Sequence, residues 1–294
     1  MSTADAGLTW NLVDDVRRLL EFHFMVNAFL AGTIVAIVGA IVGWFMVLRR
    51  QTFVGHTLSI VAFPGASAAV LIGISAAWGY FSFCVIAALV IAAIPRARAH
   101  SISEESAIIG TVQAFALGCG FLFVTLYHGL LQGASALLFG TFLGITDEQV
   151  TTLALVGAGV LAVVAAIGRP LLFASIDPDV AAAKGVPVRG LSFAFLIVLG
   201  VAVAEASQIT GALLVFALLV VPAATARTLT ARVVPGLLLS IAIGLVVTWL
   251  GLALAYFYDR PIGFYVTTVA FGAYLLAHVV RWALEHVARR PAAT

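Results

Sequence analysis

The sequence predicts an all-α, polytopic integral membrane protein with about nine transmembrane helices, and three observations point to it. Hydrophobic residues make up 63% of the chain and charged residues 10%, with a mean hydropathy of +1.16, whereas a soluble domain carries about 25% charge. The stretches 22–48, 51–95, 106–146, 149–168, 190–204, 206–226, 233–258 and 261–280 contain no Asp, Glu, Lys or Arg, and a helix needs about 20 apolar residues to cross the hydrocarbon core. Twelve of the fifteen Lys and Arg residues fall in alternate gaps between those stretches. The apolar runs are continuous rather than alternating, which excludes a closed barrel and leaves helices to satisfy every backbone group.

Taken in order, the first 23 residues form an interfacial amphipathic segment rather than a cleaved signal. Asp14, Asp15, Arg17, Arg18 and Glu21 interrupt apolar positions Leu12, Val16, Leu19 and Leu20 at helical spacing. The membrane domain covers 24–283. Its first span lies in 22–48, and 51–95 divides into two spans at Gly73–Trp78. The stretch 106–146 holds one span to Tyr127 and then a Gly-interrupted segment, Gly133–Gly144, too short to cross alone. Single spans follow at 149–168, 190–204, 206–226, 233–258 and 261–280, and 284–294 is a cytoplasmic tail.

Basic residues stay on the cytoplasmic side. Arg49, Arg50, Arg96, Arg98, Arg169, Lys184, Arg189, Arg227, Arg232, Arg281, Arg289 and Arg290 share one set of gaps, against Arg17, Arg18 and Arg260 in the other. This places the N-terminus outside and the C-terminus in the cytoplasm, provided that Gly133–Gly144 does not cross.

Several function classes are excluded by composition. The two cysteines, Cys84 and Cys119, lie inside apolar spans without CxxC spacing and read as small packed hydrophobes. Lys184 is the only lysine and is not part of a G-x-x-x-x-G-K-[ST] loop, so any ATP dependence must come from another subunit. No Ser-His-Asp, HExxH or paired-carboxylate arrangement is present at a usable spacing, which leaves an enzyme little to work with. The net charge of +2 follows from membrane topology and points to no nucleic-acid partner.

Function belongs where a span tolerates polar or helix-breaking residues. The second span carries His56, Thr57 and Ser59 early and Pro64-Gly65 in the middle. His56 either ligates a borderline divalent cation or hydrogen-bonds a backbone carbonyl of a neighbouring helix. A second proline-bearing stretch, Leu213–Ala226, holds Pro222, and its Val-Pro-Ala-Ala-Thr-Ala echoes Phe-Pro-Gly-Ala-Ser-Ala at 63–68. Paired broken helices often flank a translocation site, although small residues after proline also serve close packing. Glu205 is expected between two spans on the outer side, as an entrance acid or a solvated helix end. Between the fifth and sixth spans, Asp177 suits an N-cap, Pro178 the first helical position and Gly185 the position after the end. A short helix over about 177–186 follows.

In sequence order, Val47-Leu-Arg-Arg-Gln-Thr-Phe-Val-Gly-His-Thr-Leu-Ser59, Phe63-Pro-Gly65, Ser103-Glu-Glu-Ser-Ala-Ile-Ile-Gly110, Leu138-Phe-Gly140, the Asp177–Val186 loop and Gly211–Ala226 resemble the permease subunits of ATP-binding-cassette importers for zinc, manganese and iron. The resemblance runs from about Phe24 to Leu276. It implies that Asp177, Asp179, Ala183, Lys184 and Gly185 form the coupling helix that docks on a cytoplasmic ABC ATPase. It also implies a homodimer, an extracytoplasmic metal-binding protein as partner, and location in the cell membrane. No cofactor is bound permanently, and the divalent metal is cargo. The family reads Gly-Asp-Ala-Leu-Ser-His after the double arginine, with the Asp and His on the cation path. This chain has Gly55-His-Thr-Leu-Ser-Ile60, so His56 stands at the Asp position and Ile60 at the His position. Nitrogen in place of carboxylate oxygen suits zinc over manganese, with Glu205 as a weaker ligand. The rival reading is a secondary cation transporter driven by a proton or sodium gradient, which needs an ionisable group well inside the membrane.

Overall fold

The computed structural model describes residues 12–93, 102–127, 137–140, 144–258 and 262–288. Arg96, Arg98, His128, Gly133, Arg260, Arg289 and Arg290 lie outside them. The described elements are all helices: α1 (Leu12–Glu21), α2 (His23–Leu48), α3 (Thr52–Leu71), α4 (Ala76–Ala93), α5 (Ile102–Leu126), α6 (Asp147–Ile176), α7 (Pro178–Ala183), α8 (Val188–Leu229), α9 (Val233–Tyr258) and α10 (Ile262–Ala288).

Eight helices are long and apolar enough to cross a membrane among the described residues, and the shorter Leu214–Leu229 accompanies them. Close approaches fix their directions. A Cβ on Gly244 or Gly236 of α9 would meet Ala36 or Trp44 of α2, so α2 and α9 are antiparallel. Gly110 and Gly120 of α5 face Phe53 and Phe63 of α3, so these two run the same way. α2 descends to the Arg49-Arg50-Gln51 turn, where Arg50 takes a φ of 57°. There Arg49 donates to Ser175 Oγ of α6 (3.0 Å) and Ser192 Oγ of α8 (2.6 Å), and its guanidinium lies 5.4 Å from the Phe195 ring centre. One end of the bundle thus gathers the described basic residues, Arg17 and Arg18 excepted.

At the opposite end Asn27 of α2 donates to Ile145 O (3.0 Å) and Asp147 Oδ1 (2.8 Å), and His23 pairs with the same carboxylate. Thr146 and Gln149 close a capping box that starts α6 there. Tyr80 Oη donates to Leu137 O at that same end. The described part of 133–144 therefore stays at one end and does not cross.

α8 differs from the sequence expectation. The chain does not divide at Glu205 but runs helical from Val188 past it, and leaves helical dihedrals only at Gly211 (φ 70°, ψ 161°). Its first arm rises from Phe195 beside Phe45 to Glu205 beside Ile34 and Val38, and the second returns to set Leu219 against Gly39 and Gly43 of α2. Only glycine adopts such dihedrals without strain, and a Cβ at Gly211 would also strike the backbone of Leu138 and Gly140. Nine passes result among the described residues, with the boundary six residues later than expected (Gly211 against Glu205). Pro64-Gly65 and Pro222, expected as helix breaks, lie inside continuous helices. α2, α3 and the first arm of α8 form the buried centre, while α5, α6 and α10 are mostly exposed.

Candidate functional site

α3 starts directly from the Arg49–Gln51 turn, and its polar residues follow within two turns. Thr57 is fully buried, and its hydroxyl bonds to Phe53 O (3.1 Å) and to Gln113 Oε1 of α5 (3.1 Å). Ser59 returns its hydroxyl to His56 O (2.7 Å), and Ser67 to Pro64 O (3.1 Å). These local bonds satisfy hydroxyls that would otherwise be stranded in an apolar setting. His56 is different. Its ring stands edge-on to Phe216 of the second arm of α8, with centres 4.8 Å apart, and its Nδ1 is buried without a hydrogen-bond partner. The hydrogen bond to a backbone carbonyl of a neighbouring helix, one of the two alternatives for His56, is not made at Nδ1. Ile60 lies one turn along the same face, 9% exposed.

Pro64 and Gly65 serve contact rather than interruption. A Cβ on Gly65 would overlap Gly79 O and come 2.6 Å from Phe83 Cβ, and a Cβ on Gly120 would come 3.3 Å from Pro64 Cα. The small residues let α3 touch α4 and α5 at backbone distance.

Glu205 is fully buried, with both carboxyl oxygens unpartnered, and Nε2 of Gln208 shares that condition. A Cβ on Gly157 of α6 would come 2.8 Å from Glu205 Oε1 and 3.1 Å from Ile34 and Val38. The carboxyl therefore sits between α2 and α6, level with the middle of α2, not at the outer end of a span. His56 faces the other arm of α8 nearer the arginine-rich end. The structure does not join the two into a site: no group of three or more His, Cys, Asp or Glu is close enough to hold a metal among the described residues.

The short helix forms as the capping residues require. Asp177 Oδ1 accepts from Val180 N (3.0 Å), Pro178 occupies the first turn, and Gly185 takes a φ of 81° just after the Lys184 cap. Ala181 is completely buried against the bundle, while Asp179, Ala183, Lys184 and Gly185 are exposed. Sequence reasoning passed over Gln113, Gly157 and Phe216. Gln113 had a signal, being the one amide in the span that runs to Tyr127. Gly157 and Phe216 had none, because a small or aromatic residue in an apolar span is unremarkable until its neighbour is known.

Among the described residues, eight long apolar helices and the shorter Leu214–Leu229, buried polar side chains on α3 and α8, and an exposed capped helix at the basic end describe a membrane permease. The chain belongs to the ABC 3 transport family, whose profile matches residues 21–281. It is similar to the manganese import system permease protein ScaB of Streptococcus parasanguinis, at 29% identity over 86% of this chain and 89% of that protein. It is also similar to the probable iron transport system membrane protein of Haemophilus influenzae, at 28% identity over 83% and 89%. In three dimensions it matches PsaBC from Streptococcus pneumoniae in complex with Fab, with a TM-score of 0.80 and 27% identity over 90% of this chain and 95% of that one. The chain is thus a permease component and does not itself hydrolyse ATP.

Proposed function

We propose that this chain is the membrane-spanning subunit of an ATP-driven importer of a divalent metal ion. It works as a homodimer with two cytoplasmic ABC ATPases and an extracytoplasmic metal-binding protein, in the cell membrane, with the N-terminus outside and the C-terminus in the cytoplasm. The likeness over nearly the whole chain to permeases named for manganese and iron import supports the cargo class. The observation that carries the site is His56, whose buried Nδ1 has no protein partner on a buried helix that also holds Thr57, Ser59 and Ser67. A neutral imidazole nitrogen left unpartnered is a ligand in waiting, and nitrogen favours zinc. With Ile60 one turn on, the remaining coordination falls to water or to His56 of the partner subunit. Glu205 contributes at a second level of the path. ATP-driven closure is carried through the helix at 177–186, whose buried Ala181 and exposed Asp179 face opposite ways.

The test is metal uptake into vesicles reconstituted with the chain and its ATPase, with zinc, manganese and iron in competition. The expected result is ATP-dependent uptake with zinc preferred, and charge reversal at Asp177 and Asp179 that leaves ATP hydrolysis running without uptake. Uptake by the chain alone on a proton or sodium gradient would establish a secondary transporter instead. Preference for manganese would overturn the zinc assignment alone.

A further inference from the structure

A groove of about 600 Å³ lies between α1, α2 and α9 at the end opposite the arginine-rich one. Small-molecule sites span about 300–1,000 Å³ but place a few convergent polar groups among their apolar walls, and this groove has almost none to offer. Val16 and Leu20 of α1, Leu30 of α2 and Leu250 of α9 line it while remaining about half exposed. Two polar side chains in the wall are used up locally. Trp249 Nε1 donates to Thr33 Oγ1 (3.0 Å), and Thr33 donates to Phe29 O (2.7 Å). Asp15, the one carboxylate on the lining, is buried and already engaged within the protein.

We propose that this groove holds one acyl chain of a bilayer phospholipid, whose phosphate rests at Arg17 of α1. Three features select that occupant. The groove opens on the outer faces of two membrane-spanning helices, where hydrocarbon is the solvent. α1 turns Val16, Leu19 and Leu20 toward the groove and leaves Arg17 and Arg18 exposed outside its lining, the arrangement of a helix lying at headgroup level. Arginine matches phosphate geometry, and the neighbouring exposed Glu21 balances its charge, which fits a zwitterionic headgroup carrying both phosphate and ammonium. α1 then acts as a strap over a bound lipid instead of a loosely attached surface helix.

Trp249 in the groove wall supplies the readout. The full-length protein, delipidated in mild detergent, is titrated with phosphatidylethanolamine brominated on its acyl chains, and the Trp249 signal is taken as the difference from a Trp249→Phe variant. Quenching should saturate at one lipid per chain, and native mass spectrometry should find one phospholipid retained. Ala253→Phe fills the groove and should weaken retention about tenfold, as added side-chain volume does in a packed site; Ala253→Val serves if the larger change impairs folding. Arg17→Gln should weaken it severalfold and Arg17→Lys restore part of it. Quenching that rises without saturation and is unchanged in both Ala253 variants would overturn the proposal. So would recovery of a second copy of the chain or of a free fatty acid in place of phospholipid.

Discussion

α3 and α8 each carry an internal proline followed by small residues, and only α8 turns back. In α3 the residues after Pro64 are small because α4 and α5 press against them, and the helix continues. In α8 the helix also continues through Pro222, and the reversal falls upstream at Gly211, where φ is positive and the Leu138–Gly140 backbone lies against it. Proline removes one backbone hydrogen bond and crowds the preceding turn, which a tightly packed helix survives. A residue in the left-handed or extended positive-φ region changes chain direction outright.

The comparison is broken most directly at Gly211. Gly211→Val adds backbone strain of about 1–3 kcal/mol to an overlap with Leu138 and Gly140, so the variant is expected to lose most of its thermal stability in detergent. A parental melting temperature would show that the turn tolerates any residue. Gly65→Val should cost about 1–3 kcal/mol by pushing α3 off α4, measured by the same melt, whereas Pro64→Ala should stay within about 1 kcal/mol because no break depends on the ring. Asp177→Ala removes the cap of α7 and should cost about 1 kcal/mol locally. Faster amide exchange at Val180, with the spans unaffected, is the expected sign. His56→Ala has the smallest expected structural effect, below about 1 kcal/mol for a half-buried side chain with no hydrogen bond to lose at Nδ1, but metal uptake should fall at least about tenfold if a ligand is gone. Parental uptake at normal membrane insertion would reduce His56 to packing beside Phe216.

Composition and charge spacing made the architecture legible, because a bilayer forces long apolar runs and sorts arginines by side. The Asp177 cap, Pro178 and Gly185 likewise announced α7 from local chemistry alone. The α8 boundary was misplaced because Glu205 ended a charge-free run, and a carboxylate inside a span looks like a terminus until the helices enclosing it are seen. Gly157 leaves the room that Glu205 occupies, and that pairing is made only by folding. The position of His56 was legible, but its lack of a partner and the face of Phe216 were not, since both depend on how α8 returns.

The second arm of α8, Leu214–Leu229, measures about 24 Å at ~1.5 Å per residue, short of the ~30 Å hydrocarbon thickness. A segment of that length is a poor independent substrate for the insertion machinery during synthesis. It is held in place by its neighbours instead: its tip at Gly211 lies against the Leu138–Gly140 backbone, and Leu219 lies against Gly39 and Gly43 of α2.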